Sequence, residues 1–156
     1  FLYQGEEIGM TNFPFQDETQ LRGVESLNLL AQARKDGREA WAWNGIRKKG
    51  CDNARTPTQW DASANAGFTA GTPWINVNPN YWQINVREAQ ADPDSILHFY
   101  RKLLALRQRL EALRSGIFRL LLPEHPQLLA YERACGEEHI RVLSRLPGSA
   151  ASGREY

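Results

Sequence analysis

Cysteine occurs twice and methionine once in 156 residues. Cys51 and Cys135 make no disulfide framework, and no CxxC or Cys/His spacing suits zinc. Both are expected as free thiols, which points to a reducing, cytosolic setting. Excess charge of either sign is missing too: 19 basic against 18 acidic residues leave a formal charge of +1, so no long-range field argues for nucleic acid or an anionic membrane as partner. No apolar run approaches the roughly 18 residues that a membrane span requires. The N-terminus lacks the basic-then-apolar order of a secretory signal. What remains is an ordinary globular mixture, 42% hydrophobic and 24% charged.

The opening "FLYQGEEIGM" begins on an apolar, β-prone "FLY" with no initiating methionine. It reads as a short buried strand, "FLY", running into the Gly-punctuated loop "QGEEIG", as though a strand had been separated from its neighbours. The spacing of Leu27, Leu30 and Ala31 predicts a helix from Ser26 to about Arg34, with Ser26 as cap and Gly37 as terminator. A second short helix is expected over Glu39 to Lys49. From Gly50 to about Ala91 the chain is crowded with Asn, Thr, Gly, Pro and aromatics. Irregular runs of that length inside a domain are uncommon and usually functional.

Asp92 as cap and Pro93 at the first helical position predict a long amphipathic helix to Arg114. Its stripe comprises Ile96, Leu97, Tyr100, Leu103, Leu104, Leu110 and Leu113. The basic residues Arg101, Lys102, Arg107, Arg109 and Arg114 read as a solvated face that suits the helix macrodipole. After Gly116 the period shortens. "GIFRLLL", "LLAYERA" and "HIRVLSR" read as three strands, the last two joined by the hairpin-like "CGEE". Helices giving way to strands place a boundary near Ser115.

Several ordered blocks carry a resemblance: "YQGEEIGMTN", "DNARTPTQWD", "NAGFTAGTPWINVNPNY", "DPDSILHFYRKLLALR" and "FRLLLPEHPQLLAYER". From Phe1 to about Val142 the chain resembles the closing portion of the α-glucosidases of glycoside hydrolase family 13, of the oligo-1,6-glucosidase type, and is similar also to trehalose-6-phosphate hydrolase. The resemblance implies an α/β fold. Residues 1–115 would close a catalytic (β/α)8 TIM barrel with strand eight, its loop and the last helix, and 116–156 would begin an incomplete C-terminal β domain. It also implies retaining hydrolysis of α-glucosidic bonds in isomalto- or malto-oligosaccharides. That chemistry uses an aspartate nucleophile, a glutamate acid/base and a second aspartate, all upstream of strand eight. No catalytic residue is therefore expected within these 156 residues, which alone should be inactive and poorly folded.

By the same resemblance Arg55, in "ARTP", helps hold the non-reducing glucose, where a planar guanidinium can serve a carboxylate and a hydroxyl together. Neither cofactor nor metal is implied; the expected partner is an oligosaccharide substrate, with no nucleic acid or membrane, in the cytoplasm. Non-enzymatic heavy subunits of amino-acid transporters carry the same barrel and are the alternative of another class. Glu6, Glu7, Asp52 and Asp61 read as turn and cap formers, Trp60 and Pro57 as loop packing, and His98, His125 and His139 as surface or capping residues. The chain departs from the family pattern in three loop positions: Cys51 replaces arginine, Thr58 methionine and Gly23 aspartate. Losing an arginine and an aspartate should remove buried charge pairs. Arg141 and Arg145 read as interruptions of the last strand.

Overall fold

The computed structural model describes residues 2–146. Two compact units divide the chain between Tyr100 and Arg101.

The first unit is built on a helical hairpin, α1 (Val24–Lys35) and α2 (Glu39–Lys49). α2 has the expected bounds, and Gly37 turns the chain after α1 at φ 68°. α1 starts earlier than expected. Gly23 stands at its N-cap with no side-chain cap bond, and Ser26 is buried inside the first turn. One core holds the unit together: Phe13, Phe15, Leu21, Leu30, Ala33, Ala42, Ile46 and Ile75 cluster, with Leu27 and Trp43 packed against them. Phe15 and Leu30 are fully buried, each worth roughly 1.5–3 kcal/mol of transfer free energy.

Leu2 and Tyr3 form no strand and are exposed, where a buried strand was expected. The physical reason is pairing: a strand exists through its ladder, and among the described residues nothing lies alongside. Glu6 and Glu7 lie in a 3-10 turn, and their carboxylates accept the backbone N–H groups of Tyr3 and Gly5.

The Asn-rich stretch from Gly50 contains three 3-10 turns, Cys51–Arg55, Ala64–Gly67 and Pro79–Trp82. It then forms a short helix that the sequence concealed, α3 (Val86–Ala91), capped by the Asn85 side chain at 2.9 Å from the Glu88 N–H. Buried amides replace a regular ladder here. Asn78 donates to the carbonyls of Thr11 and Asn12 (2.9 and 3.1 Å), and Gln59 donates to the carbonyl of Ile84 (2.6 Å) and to Asn80 Oδ1 (3.1 Å). Such groups keep an irregular backbone satisfied where water cannot reach.

The long helix is two helices. Asp92 closes a turn by accepting the N–H groups of Asp94 and Ser95, so the cap is Ser95 and α4 runs Ile96–Arg109. Leu110 is extended, and α5 (Glu111–Ser115) follows. Arg107 spans the break, its guanidinium donating to the Leu113 carbonyl at 2.5 Å. The five basic residues of this stretch are exposed, and no residue of α4 is buried.

In the second unit a meander, β1 (Ile117–Leu120), β2 (Leu128–Cys135) and β3 (Glu138–Arg145), forms an antiparallel sheet in the order β1-β2-β3. β2 and β3 turn through Gly136–Glu137. Arg141 does not interrupt β3. It lies directly opposite Glu132 and donates to its carboxylate at 2.9 Å, while Ile140 and Val142 alternate onto the half-buried face. Arg119 and His139 each stand 3.9 Å from the same carboxylate.

That cluster predicts a pH response. The Arg141 hydrogen bond, with the charges of Arg119 and His139, holds the buried Glu132 carboxyl below its ordinary range against the opposing effect of burial. A folded value below the unfolded one gives stability that is present above the unfolded value and lost as pH falls through the folded one. In the complete polypeptide the hydrogen-exchange protection factors of the β2–β3 amides, corrected for the intrinsic rate at each pH, should therefore fall on acidification below about pH 4. Glu132→Gln should flatten that response, and an unchanged profile in the variant would assign it to other groups.

Candidate functional site

The loop after α2 turns sharply through Cys51–Arg55 and then runs extended through Thr56, Pro57 and Thr58, all buried. Opposite it lies the segment carrying Phe68, Trp74 and Ile75. Between them is a cavity of about 220 Å³, to which Gln4, Met10 and Asn53 also contribute.

Asp52 anchors the loop. It is fully buried, and its Oδ2 accepts the backbone N–H groups of Arg22 and Gly23, both at 2.8 Å. Its Oδ1 faces Arg55 Nη1 at 3.4 Å. The sequence suggested a turn-forming role for Asp52; the structure instead gives it a tie to residues thirty positions earlier. Asn53 secures the same turn from its other side. It donates to the carbonyls of Ile46, Arg47 and Gly50 and accepts the N–H of Phe13 at 3.0 Å.

Arg55 lines the cavity with its side chain 46% exposed. Among the described residues Asp52 is its one hydrogen-bond partner. A guanidinium has five N–H donors in a fixed fork, so one edge held by Asp52 leaves others for a ligand hydroxyl or carboxylate. Gln4 and Thr58, hydrogen-bonded to each other, add polar groups, and the exposed faces of Phe68 and Trp74 add apolar surface. Hydroxyl-binding groups beside exposed aromatics suit a sugar ring, which is polar at its rim and apolar on its C–H face. No carboxylate is among the cavity's lining residues. The cavity can hold a hydroxylated ligand but carries no acid/base pair, and no group of three or more His, Cys, Asp or Glu suited to a metal occurs among the described residues.

The other residues singled out in the sequence serve the backbone. Asp61 accepts the Ser63 N–H at 2.9 Å and pairs with Arg87 at 2.9 Å, and the Ser63 bonds hold its carboxyl below the usual range. Pro57 is buried, whereas Trp60 is about half exposed and does not pack the loop as expected. His98 contacts the Gln90 carbonyl, and His125 accepts the Gln127 N–H. Two of the unusual loop residues are neighbours: a Cβ on Gly23 would stand 3.0 Å from Cys51 Sγ and 3.3 Å from Asp52 Oδ1. With no arginine at position 51, an aspartate at position 23 would set a second negative charge against the Asp52 carboxylate. Nothing in the sequence signalled Phe68, Trp74 or Gln4, which reach the cavity through long-range folding alone.

Comparison with known proteins identifies the family. Residues 1–116 match the family described as the α-amylase catalytic domain. Over 146 residues the chain is 46% identical to an oligo-1,6-glucosidase of Parageobacillus thermoglucosidasius, covering 92% of this chain and 26% of that protein. It is 48% identical over 147 residues to the trehalose-6-phosphate hydrolase of Escherichia coli K12, covering 94% and 27%. The crystal structure of Bacillus licheniformis trehalose-6-phosphate hydrolase superposes with a TM-score of 0.86 at 45% identity, over 92% of this chain and 26% of that one. The chain thus spans about a quarter of the length of the relatives it matches. With three-quarters of its residues inside the matched catalytic domain, this chain belongs to the α-amylase family of glycoside hydrolases.

Proposed function

We propose that the chain is the closing part of an α-glucosidase barrel and that Arg55 holds the non-reducing glucose of an isomalto- or malto-oligosaccharide. In this reading the "QGEEIG" turn and the Gly50–Ala91 stretch form the loop of the eighth strand. The segment from Asp92 to Arg114 is the last barrel helix, and residues from Gly116 onward begin the C-terminal β domain. The observation that carries it is the cavity itself, with a braced arginine and exposed aromatics but no carboxylate of its own. Retaining hydrolysis needs two carboxyl groups about 5–5.5 Å apart across the scissile bond. They must come from upstream residues, and this chain supplies a wall that binds and orients the sugar. A cytoplasmic location is part of this reading, and the free cysteines Cys51 and Cys135 are compatible with it.

The 48% identity to a trehalose-6-phosphate hydrolase supports a second reading, in which the substrate is a phosphorylated disaccharide. One experiment separates the two. The polypeptide of the complete reading frame is incubated with isomaltose, maltose and trehalose 6-phosphate, and the first anomer released is followed by proton NMR. Release of α-glucose from isomaltose or maltose is expected. Turnover of the phosphorylated sugar alone would select the second reading, and initial release of the β-anomer would overturn retention.

A further inference from the structure

We propose that Asp52 and Arg22 are positioning residues that hold the two walls of the Arg55 cavity at a fixed separation; this rests on the sugar-binding reading of that cavity. The Leu21–Gly23 segment touches both walls. On one side its Arg22 and Gly23 N–H groups hold the buried Asp52 carboxylate, whose other oxygen faces Arg55. On the other side the Arg22 guanidinium donates from Nε to the carbonyl of Trp74 at 3.0 Å, while Nη1 holds the carbonyls of Thr19 and Leu21 at 2.6 and 3.0 Å. One residue therefore grips the Arg55 wall through its backbone and the Trp74 wall through its side chain.

Each part of this brace has a chemical requirement. A buried carboxylate is tolerated only with donors, and Asp52 has two charge-assisted N–H bonds before Arg55 is counted. Its anchorage therefore does not depend on Arg55, and its charge is available to orient the guanidinium. Arg22 is exposed, yet its fork meets three backbone carbonyls, a geometry that a lysine cannot reproduce. Gly23 allows the close approach, because a Cβ there would meet the Cys51 sulfur and both Asp52 oxygens within 3.4 Å. Sugar-binding groups must be held within about 0.5 Å of their productive positions, and neither wall belongs to a long regular element that would do this unaided.

The test uses the polypeptide of the complete reading frame and p-nitrophenyl α-glucoside. Asp52→Asn keeps an acceptor for the two N–H groups and removes the charge facing Arg55. Arg22→Met removes the fork from an exposed position and keeps the backbone N–H. Each variant should raise KM by about tenfold with kcat much less changed and the melting temperature within a few degrees of the parent. Arg55→Ala is measured beside them. If Arg55→Ala raises KM and neither brace variant does, the brace is wrong and the sugar site stands. If Arg55→Ala leaves KM unchanged, the sugar site itself falls. Should Asp52→Asn fail to fold, Arg22→Met alone decides, and an unchanged KM there overturns the proposal.

Discussion

Arg55→Ala in the complete polypeptide should lower kcat/KM on an α-glucoside by about a hundredfold, because it removes charge-assisted hydrogen bonds and the orientation they impose. The fold should tolerate the change. Asp52 keeps its bonds to the Arg22 and Gly23 N–H groups, so the loss of one 3.4 Å contact should cost about 1 kcal/mol of stability. Arg55→Lys should restore little activity, since an ammonium presents a point charge where the planar fork serves carboxylate and hydroxyl together. Michaelis parameters and a thermal melt on both variants check this. Parental kinetics in the alanine variant would remove Arg55 from the sugar site.

The second large effect concerns folding. As a separate polypeptide the 156 residues should show no cooperative thermal transition and should bind a hydrophobic dye such as ANS. Among the described residues the extended apolar cluster lies in the first unit, and it leaves Leu2, Tyr3 and Trp74 exposed. α4 places Ile96, Phe99, Leu103 and Leu104 in solvent, and every residue of β1 is exposed. A helix gains most of its stability from packing its apolar face, and three strands need something to cover them. In the complete polypeptide the same segments should be protected from hydrogen exchange. A sharp melt of the 156-residue chain, with protected α4 amides, would contradict this.

The elements legible in the sequence were those with a strong local signal. α2, β2 and β3 lie within a residue or so of their expected bounds, because alternation and a tight turn fix a hairpin without distant help. α1 began two residues early because a glycine stands at its cap, where the expected signal is a polar side chain. The break at Leu110 carries neither glycine nor proline, and α3 was hidden among asparagines that cap and satisfy the backbone instead of ending it. "FLY" has strand composition, but a strand is made by its neighbours and composition cannot supply them.

The site was half legible. Arg55 stood out through the resemblance of its "ARTP" block, and the structure sets it in a cavity. Its anchor Asp52 read as a turn former because the residues it binds lie 29 and 30 positions away. Phe68, Trp74 and Arg22 have no local pattern at all, since what unites them is a loop crossing that no period encodes. Arg141 misled for the opposite reason. A charge in an apolar strand suggests disruption until its cross-strand partner Glu132 is known.

The measurement that bears most directly on this account is hydrolysis of p-nitrophenyl α-glucoside by two preparations side by side, the 156-residue chain and the polypeptide of its complete reading frame. Turnover is predicted for the complete polypeptide and none for the chain alone, because the proposed sugar cavity has no carboxylate among its lining residues. Turnover by the chain alone, or the lack of it in both, would contradict it.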